Sequence, residues 1–318
     1  MVRLHGDDYD ALVQAMLLAA GLGTRLQPLT DLRPKPIVPV ANRPLAAFAI
    51  EHLARSGVRT IVANTHPQPE KVESALKAVC PTQVELRFSR EKTLLGTGGG
   101  LRKAHPWFDE SQDSVIVVNG DTLFAPDLPR AYAEHHARGA VATMILRRTS
   151  DPERFGAIGI DAEGSVRTLL GTPNDDRVRE VLMFTGVHIL APEAFEAMPE
   201  SGCVIRSAYR HWVDTGAPVI GLVDESPWAD LGTVSEYHRL NLELASGSFA
   251  WRGVEPRDGC ILGGSIERPE NIRRSVIGSN VHVGEGVVLD RCVVWPGSRV
   301  DRSATDAVIT PKHRIELS

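Results

Sequence analysis

The chain has 318 residues, enough for one large α/β domain and a small appendage, and its 42% hydrophobic content is that of an ordinary globular protein. A net charge of -5 excludes a global basic field for nucleic acid, so any phosphate must be held by local groups. Cys80, Cys203, Cys260 and Cys292 form no C-x-x-C pair, the acidic first ten residues have no signal-peptide core, and no apolar run reaches the ~20 residues of a membrane span; free thiols and a cytoplasmic location are expected.

In chain order, Gln14–Ala20 is a short apolar run ending at Gly21 and reads as a buried parallel strand. A polar, Pro-rich stretch from Arg25 to Pro44 comes next. The pattern then predicts a helix over 45–56, opened by Pro44 and closed by Gly57. Strand, helix and strand are predicted at 58–63, 70–79 and 83–88, and a Gly-rich turn from Gly96 leads into a helix opening at Leu101. Residues 114–118 read as a strand ending at Asn119-Gly120-Asp121. This alternation predicts a doubly wound, mostly parallel, Rossmann-like sheet, with functional loops at the carboxyl ends of its strands. The middle, 151–245, continues the same domain.

From about Gly259 the pattern changes. Ile277, Val283, Leu289 and Trp295 recur every six residues, and Val281, Val287 and Val293 form a second ladder of the same period. That is the hexapeptide signature of a parallel β-helix. The expected partition is a catalytic domain over 1–250 and a short β-helix tail over 251–318. With so few coils, the tail is expected to lean on the main domain or on a second subunit.

Gly21-Leu22-Gly23-Thr24-Arg25 directly follows the first strand. Glycines let backbone approach a ligand closely, successive N–H groups can cradle an anion, and Arg25 adds a planar fork for phosphate oxygens. The loop is neither a Walker A sequence nor a dinucleotide fingerprint, since Leu26 stands where the latter needs glycine. A tight turn would explain the glycines alone; Thr24, Arg25 and Lys35 beside them point to phosphate. Lys35 lies between Pro34 and Pro36, which stiffen the backbone and lower the entropy lost on fixing its charge. Asp121, at the carboxyl end of a central strand, is placed to hold Mg²⁺ or merely to make a turn. Asp230, in Trp228-Ala-Asp-Leu-Gly-Thr233, is a second carboxylate for the metal or a cap for a helix from about Val234, with Ser235 competing for that cap. Leu95-Gly-Thr-Gly-Gly-Gly-Leu101 offers bare backbone to a nucleobase or forms a flexible loop. Gly156 and Thr185-Gly186 form a sugar pocket or bulges in strands. No histidine shows metal-ligand spacing.

Taken in order, residues 18–30, Arg33-Pro-Lys-Pro36, 119–121, Phe184-Thr-Gly-Val-His188 and 228–233 resemble the sugar nucleotidyltransferase, or NDP-sugar pyrophosphorylase, family. The tail resembles the left-handed β-helix of mannose-1-phosphate guanylyltransferase-like members. The resemblance implies that NTP and a sugar 1-phosphate give an NDP-sugar and pyrophosphate by in-line attack, with no covalent intermediate. It implies that Arg25 grips the β- and γ-phosphates, that Lys35 bridges the α-phosphate and the sugar phosphate, and that Asp121 and Asp230 hold Mg²⁺. It further implies nucleotide contacts from Leu18, Ala20, Gly21, Gly23, Thr24, Glu91, Gly96, Thr97, Gly98 and Gly99, and sugar contacts from Gly156, Thr185 and Gly186.

The sequence departs from the family at one point. Many members carry a Glu-Lys-Pro triplet whose lysine binds the sugar phosphate; 165–174 has none, so Arg167 substitutes or a simpler pocket is used. GTP with mannose 1-phosphate is the expected substrate pair. Uridylyl transfer to N-acetylmuramate 1-phosphate is the alternative, since those enzymes lack the triplet and carry a Gly-Gly-Gly loop. A catalytically silent, nucleotide-sugar-binding regulator is a third reading. No nucleic-acid or membrane partner is expected, and a homo-oligomer would form through the tail.

Overall fold

The computed structural model describes residues 14–108, 114–172, 174–264 and 271–317. The expectation for the first ten residues lies outside this range. The described chain gathers into two compact units. One runs up to Gly21 and resumes over Ala46–Trp228; the other holds Leu22–Leu45 and the chain from Ala229 onward. A cut near residue 250 therefore does not coincide with the packing, because the Pro-rich loop and the helix after Asp230 belong with the tail.

The first unit is built on a nine-stranded sheet. We label its strands β1 (Gln14–Ala19), β2 (Thr60–Thr65), β3 (Glu85–Arg90), β4 (Val115–Asn119), β5 (Ala142–Arg147), β6 (Ala157–Ile160), β7 (Val166–Leu169), β8 (Glu180–Leu190) and β9 (Val219–Val223). The order β3-β2-β1-β4 is parallel throughout, with Leu18 opposite both Asn64 and Asn119. Those three residues therefore end three neighbouring strands at one edge. β1 is buried along nearly its whole length, as its unbroken apolar run requires for a strand covered on both faces. β8 runs antiparallel to β4, β5 and β6, so the doubly wound pattern gives way to a mixed sheet beyond β4.

Two helices lie as expected: α1 (Leu45–Arg55), with Gly57 at φ 100° just past its end, and α2 (Pro69–Val79). The third differs. α3 spans Gly96–Ala104, so the glycines lie inside the helix rather than in a turn before it. Three consecutive glycines disfavour helix by roughly 1 kcal/mol each relative to alanine, and tertiary packing overrides this. A Cβ at Gly98 would lie 2.6 Å from Pro199, one at Gly99 2.6 Å from the Glu200 carbonyl oxygen, and one at Gly100 2.8 Å from the Asn64 amide.

Two histidines, His135 and His188, are buried in this unit, and His52 is partly buried. Burial lowers the pKa of His188 to about 3 and those of His52 and His135 to about 4. His188 is paired with the Tyr209 hydroxyl at 2.7 Å, and His135 lies between Thr143 and Ser114. The unfolded chain takes up these protons below about 6.5, whereas the folded one refuses them until about 3 or 4. Stability is therefore complete above pH 6.5 and is lost on acidification, by up to about 1.4 kcal/mol per pH unit for each histidine. Urea midpoints measured from pH 7.5 to 5 should fall, and His188→Gln should flatten that slope; an unchanged slope would remove His188 from the linkage.

In the second unit, α4 (Val234–Ser246) packs with a stack of short strands. These are β10 (Ile261–Leu262), β11 (Ile272–Arg273), β12 (Val276–Ile277), β13 (His282–Val283), β14 (Leu289–Val294), β15 (Arg299–Val300) and β16 (Ala304–Ile309). They pair in parallel with their counterparts one coil later: Ile261 with Val276, Val276 with Val293, and Val293 with Val308. Ile277 and Leu289 of the six-residue ladder are buried in the core of this stack, and Val283 packs against it. Trp295 does not follow them. It is buried, but its indole Nε1 donates to the Tyr237 hydroxyl of α4 at 3.0 Å.

Candidate active site

In the first unit the carboxyl ends of β1 and β2, together with Glu91 just after β3, are tied by one buried polar chain. The Asn64 side-chain oxygen Oδ1 accepts from the Ala19 N–H at 2.7 Å, its Nδ2 donates to Glu91 at 2.7 Å, and the second Glu91 oxygen accepts from the Leu95 N–H at 2.9 Å. Asn64 and Glu91 are 2% and 6% exposed, so these bonds are screened little by water. Both Glu91 oxygens are thus committed to protein. These bonds tie the start of α3 to the end of β1. Asn64 had no local signal, since its partners lie 45 and 27 residues away.

The other α3 residues expected at the nucleotide are also engaged. The Gly98 N–H donates to the Gly202 carbonyl, the Gly202 N–H to the Leu95 carbonyl, and the Val204 N–H to the Thr97 hydroxyl. Gly96 has φ 75°, and a Cβ there would lie 2.6 Å from the Gly202 carbonyl oxygen. Residues 199–204 therefore account for the glycine requirement at Gly96, Gly98 and Gly99 by close packing. Leu18, Ala20 and Gly21 follow the β1 backbone to its carboxyl end, and nothing lies within 4 Å of a Cβ at Gly21.

Asp121 follows β4 and is partly exposed. Gly120 fixes its approach, because the Gly120 N–H donates to the Leu18 carbonyl and a Cβ there would meet the same oxygen at 2.9 Å. Gly186 has φ 85°, and a Cβ on it would lie 2.5 Å from the Asn119 amide. The Thr185 hydroxyl donates to the Ile145 carbonyl, and the Thr185 carbonyl accepts from the Trp228 indole at 2.9 Å. Trp228 meets the Phe155 ring edge-on at 5.0 Å, and Gly156 follows directly with φ 84°. Gly156, Thr185 and Gly186 are thus joined through the Phe155–Trp228 pair. Phe155 was not anticipated, and Trp228 is half-exposed rather than core.

Arg167, the candidate to replace the missing lysine, is paired within the protein. Its Nε and Nη2 grip the buried Asp161 carboxylate at 2.7 and 2.5 Å. Removing that guanidinium would leave a buried charge unpaired.

In the second unit, Gly23 has φ 64° and lies against Lys35: a Cβ there would sit 2.9 Å from the Lys35 Cβ and 3.0 Å from Thr30. Its carbonyl accepts from the Leu26 N–H and the Thr30 hydroxyl. Thr24 and Arg25 open the single 3₁₀ turn Thr24–Leu26, and Lys35, only 6% exposed, begins another at Lys35–Ile37. Arg25 also converges with carboxylates. A Cβ on Gly232 would be 3.1 Å from Arg25 Nη1, 3.0 Å from Asp230 and 2.8 Å from Glu236.

Neither Asp230 nor Ser235 caps α4. Thr233 does, accepting from the Glu236 N–H, while the Glu236 carboxylate accepts from the Gly232 N–H and the Thr233 hydroxyl. The Thr-x-x-Glu spacing at 233–236 is the signal that would have found this. Among the described residues no group of three or more His, Cys, Asp or Glu is placed to hold a metal ion, and no helix is long and apolar enough to cross a membrane.

The first unit is thus a mixed, mostly parallel α/β sheet whose carboxyl-end loops carry Gly21 and Asp121, and the second unit carries Arg25, Lys35 and Asp230. The nucleotidyl transferase family model matches residues 14–247, and the chain belongs to that family. It is 29% identical to a mannose-1-phosphate guanylyltransferase of Mycobacterium tuberculosis, over 91% of this chain and 81% of that protein. It is 26% identical to a UTP–glucose-1-phosphate uridylyltransferase of Synechocystis, over 92% of this chain and 85% of the relative. A glucose-1-phosphate thymidylyltransferase of Streptomyces antibioticus is 25% identical, over 92% and 80% of the two chains.

Proposed function

We propose that this chain joins a nucleoside triphosphate to a sugar 1-phosphate, forming an NDP-sugar and pyrophosphate. The observation that carries the reading is the seating of Lys35 against Gly23, in the loop that also bears Arg25. A sugar phosphate oxygen forms a bond to the α-phosphorus as the bond to pyrophosphate breaks. No proton need be abstracted from an ionised phosphate, so catalysis is positioning and charge stabilisation. Arg25 binds the β- and γ-phosphates and holds the leaving pyrophosphate. Lys35 bridges the α-phosphate and the incoming phosphate. The backbone of 18–24 lines the triphosphate, Glu91 and α3 brace its base side, and Gly156, Thr185 and Gly186 line the sugar.

Asp121 and Asp230 are the proposed ligands of Mg²⁺. Mg²⁺ is bound by one or two carboxylates and completes its shell with phosphate oxygens and water. Once bound, the ion neutralises charge on the phosphates.

For substrates we infer GTP and mannose 1-phosphate, supported by the 29% identity to the mycobacterial guanylyltransferase. The parallel coils of 261–309, with the hexapeptide ladder, also support a left-handed β-helix of the kind such enzymes carry. The uridylyl alternative keeps its two arguments, the Gly98-Gly99-Gly100 run and the absent Glu-Lys-Pro triplet. A cytoplasmic site of action and assembly through the tail complete the proposal.

The test is pyrophosphate release across five NTPs and a panel of sugar 1-phosphates with Mg²⁺. GTP with mannose 1-phosphate should exceed every other pair in kcat/KM by at least about tenfold, a difference of about 1.4 kcal/mol in transition-state binding. A UTP optimum would move the assignment to the uridylyltransferases. No turnover anywhere would sink the enzyme reading and favour a silent nucleotide-sugar-binding regulator.

A further inference from the structure

The loop that carries Arg25 and Lys35 has few means of holding itself in place. Between Lys35 and Leu45 it makes one 3₁₀ turn and a two-residue hairpin, Pro39–Val40 with Arg43–Pro44. The hairpin turn is Ala41-Asn42, with φ 46° and 64°. Positive φ at both positions is the geometry a tight hairpin needs, and alanine adopts it at a cost. Pro34, Pro36, Pro39 and Pro44 donate no backbone hydrogen bond, so the loop depends on outside groups for its remaining bonds.

Those groups come from α4 and from the C-terminal coils. The Tyr237 hydroxyl donates to the Pro39 carbonyl at 2.6 Å. The Tyr237 hydroxyl oxygen in turn accepts from the Trp295 indole at 3.0 Å. Asn241 accepts from the Ala41 N–H at 2.8 Å and donates to the Tyr237 carbonyl at 2.9 Å. Asn42 donates to the Ile277 carbonyl of β12 at 2.8 Å. The Arg33 guanidinium lies over the Trp295 ring at 5.5 Å. Tyr237, Asn241 and Trp295 are each 2% exposed or less, and burial raises the Tyr237 pKa, so its hydroxyl stays a donor. Every contact lies within the second unit.

We propose that Trp295 and Tyr237 are positioning residues for nucleotidyl transfer: through the relay Trp295–Tyr237–Pro39, the C-terminal coils hold the segment that carries Lys35. Trp295 falls on the six-residue ladder of the coils, yet its indole N–H leaves their core for this relay. An inward-facing rung of a coil needs only an apolar side chain of the right volume. A donor aimed at a tyrosine that itself donates to the loop has a different use. The consequence is that a change in the coils is felt at Lys35 with no coil residue touching substrate. This inference rests on the assignment of Lys35 to phosphate, and its test is therefore made in two separable parts.

The first part needs no substrate. Backbone hydrogen exchange is followed in the full-length protein and in Tyr237→Phe, Trp295→Phe and Trp295→Leu. The amides of Val38, Val40 and Ala41 should exchange at least about tenfold faster in each variant, with β2 amides unchanged, since local opening follows local contacts. Trp295→Phe keeps a ring for Arg33, so it separates loss of the indole N–H from loss of packing. Unchanged exchange in both phenylalanine variants would overturn the relay, whether or not the protein turns over any substrate.

The second part is kinetic. In each phenylalanine variant kcat, corrected for folded fraction, should fall about tenfold while KM for the NTP stays within about twofold, the pattern of a group misplaced in the transition state. The double variant should be no slower than Tyr237→Phe alone, because the two residues act in one chain of bonds. A loosened loop with unaltered kcat would overturn the positioning role. So would losses in the double variant that multiply independently.

Discussion

Gly23→Ala should abolish most turnover, lowering kcat/KM by about a hundredfold or more. Two effects add. Gly23 has φ 64°, where an L-residue is strained by about 1 kcal/mol. The new methyl would also meet the Lys35 Cβ at 2.9 Å, its Cδ at 3.2 Å and the Thr30 methyl at 3.0 Å. Lys35 is 6% exposed and begins a turn whose hairpin neighbour is tied to α4, so its main chain has little room to retreat. The ammonium must then move, and about 1 Å of misplacement at a reacting group costs on the order of 10²-fold. The destabilisation itself should be modest, and melting and steady-state kinetics on one preparation separate the effects. Retention of more than about a third of wild-type kcat/KM would show that Lys35 is not held where the chemistry needs it.

The second large effect is expected at Asp121. Asp121→Asn keeps the size of the side chain and removes its charge. It should lower Mg²⁺-dependent kcat by about a thousandfold, the scale of losing one electrostatic group at a transferring phosphoryl. The fold should survive, because the side chain follows β4 and is partly exposed, whereas the backbone contact there belongs to Gly120. The check is pyrophosphate release over a Mg²⁺ titration, with circular dichroism as control. Near-normal activity at every Mg²⁺ concentration would take Asp121 out of the metal site.

Much of the frame was legible in the sequence, for physical reasons. An apolar run such as Gln14–Ala19, wanted by both faces of a sheet, must end where the chain leaves that sheet, so the glycines after it could be placed in a strand-end loop. α1 announced itself through the proline at its start and the glycine beyond its end. α3 did not, because glycine propensity argues locally against a helix and the override comes from residues 199–202, about a hundred positions away. The Asn64–Glu91–Leu95 chain was equally invisible, since an asparagine at a strand end carries no mark of what it will bond. The cap at Thr233 was readable from its glutamate three positions on, although Asp230 and Ser235 were the expected caps. At Trp295 the ladder gave the residue its place in the coil but not its direction. Period predicts which side chains share a face, whereas its indole N–H is aimed by a tyrosine 58 positions earlier.

The bond from Asn42 to Ile277 spans 235 positions, and that from Ala41 to Asn241 spans 200. Tyr237, Asn241 and Ile277 are thus synthesised well after the segment that they fasten. While residue 230 is being added, the sheet strands have all been made, yet none of the groups that fasten Pro39, Ala41 or Asn42 exists. A nascent chain at that stage lacks the Tyr237 hydroxyl, the Asn241 amide and the Ile277 carbonyl that bond Pro39, Ala41 and Asn42. Synthesis of α4 and of the C-terminal coils is therefore also the step at which the 39–42 turn can gain these bonds.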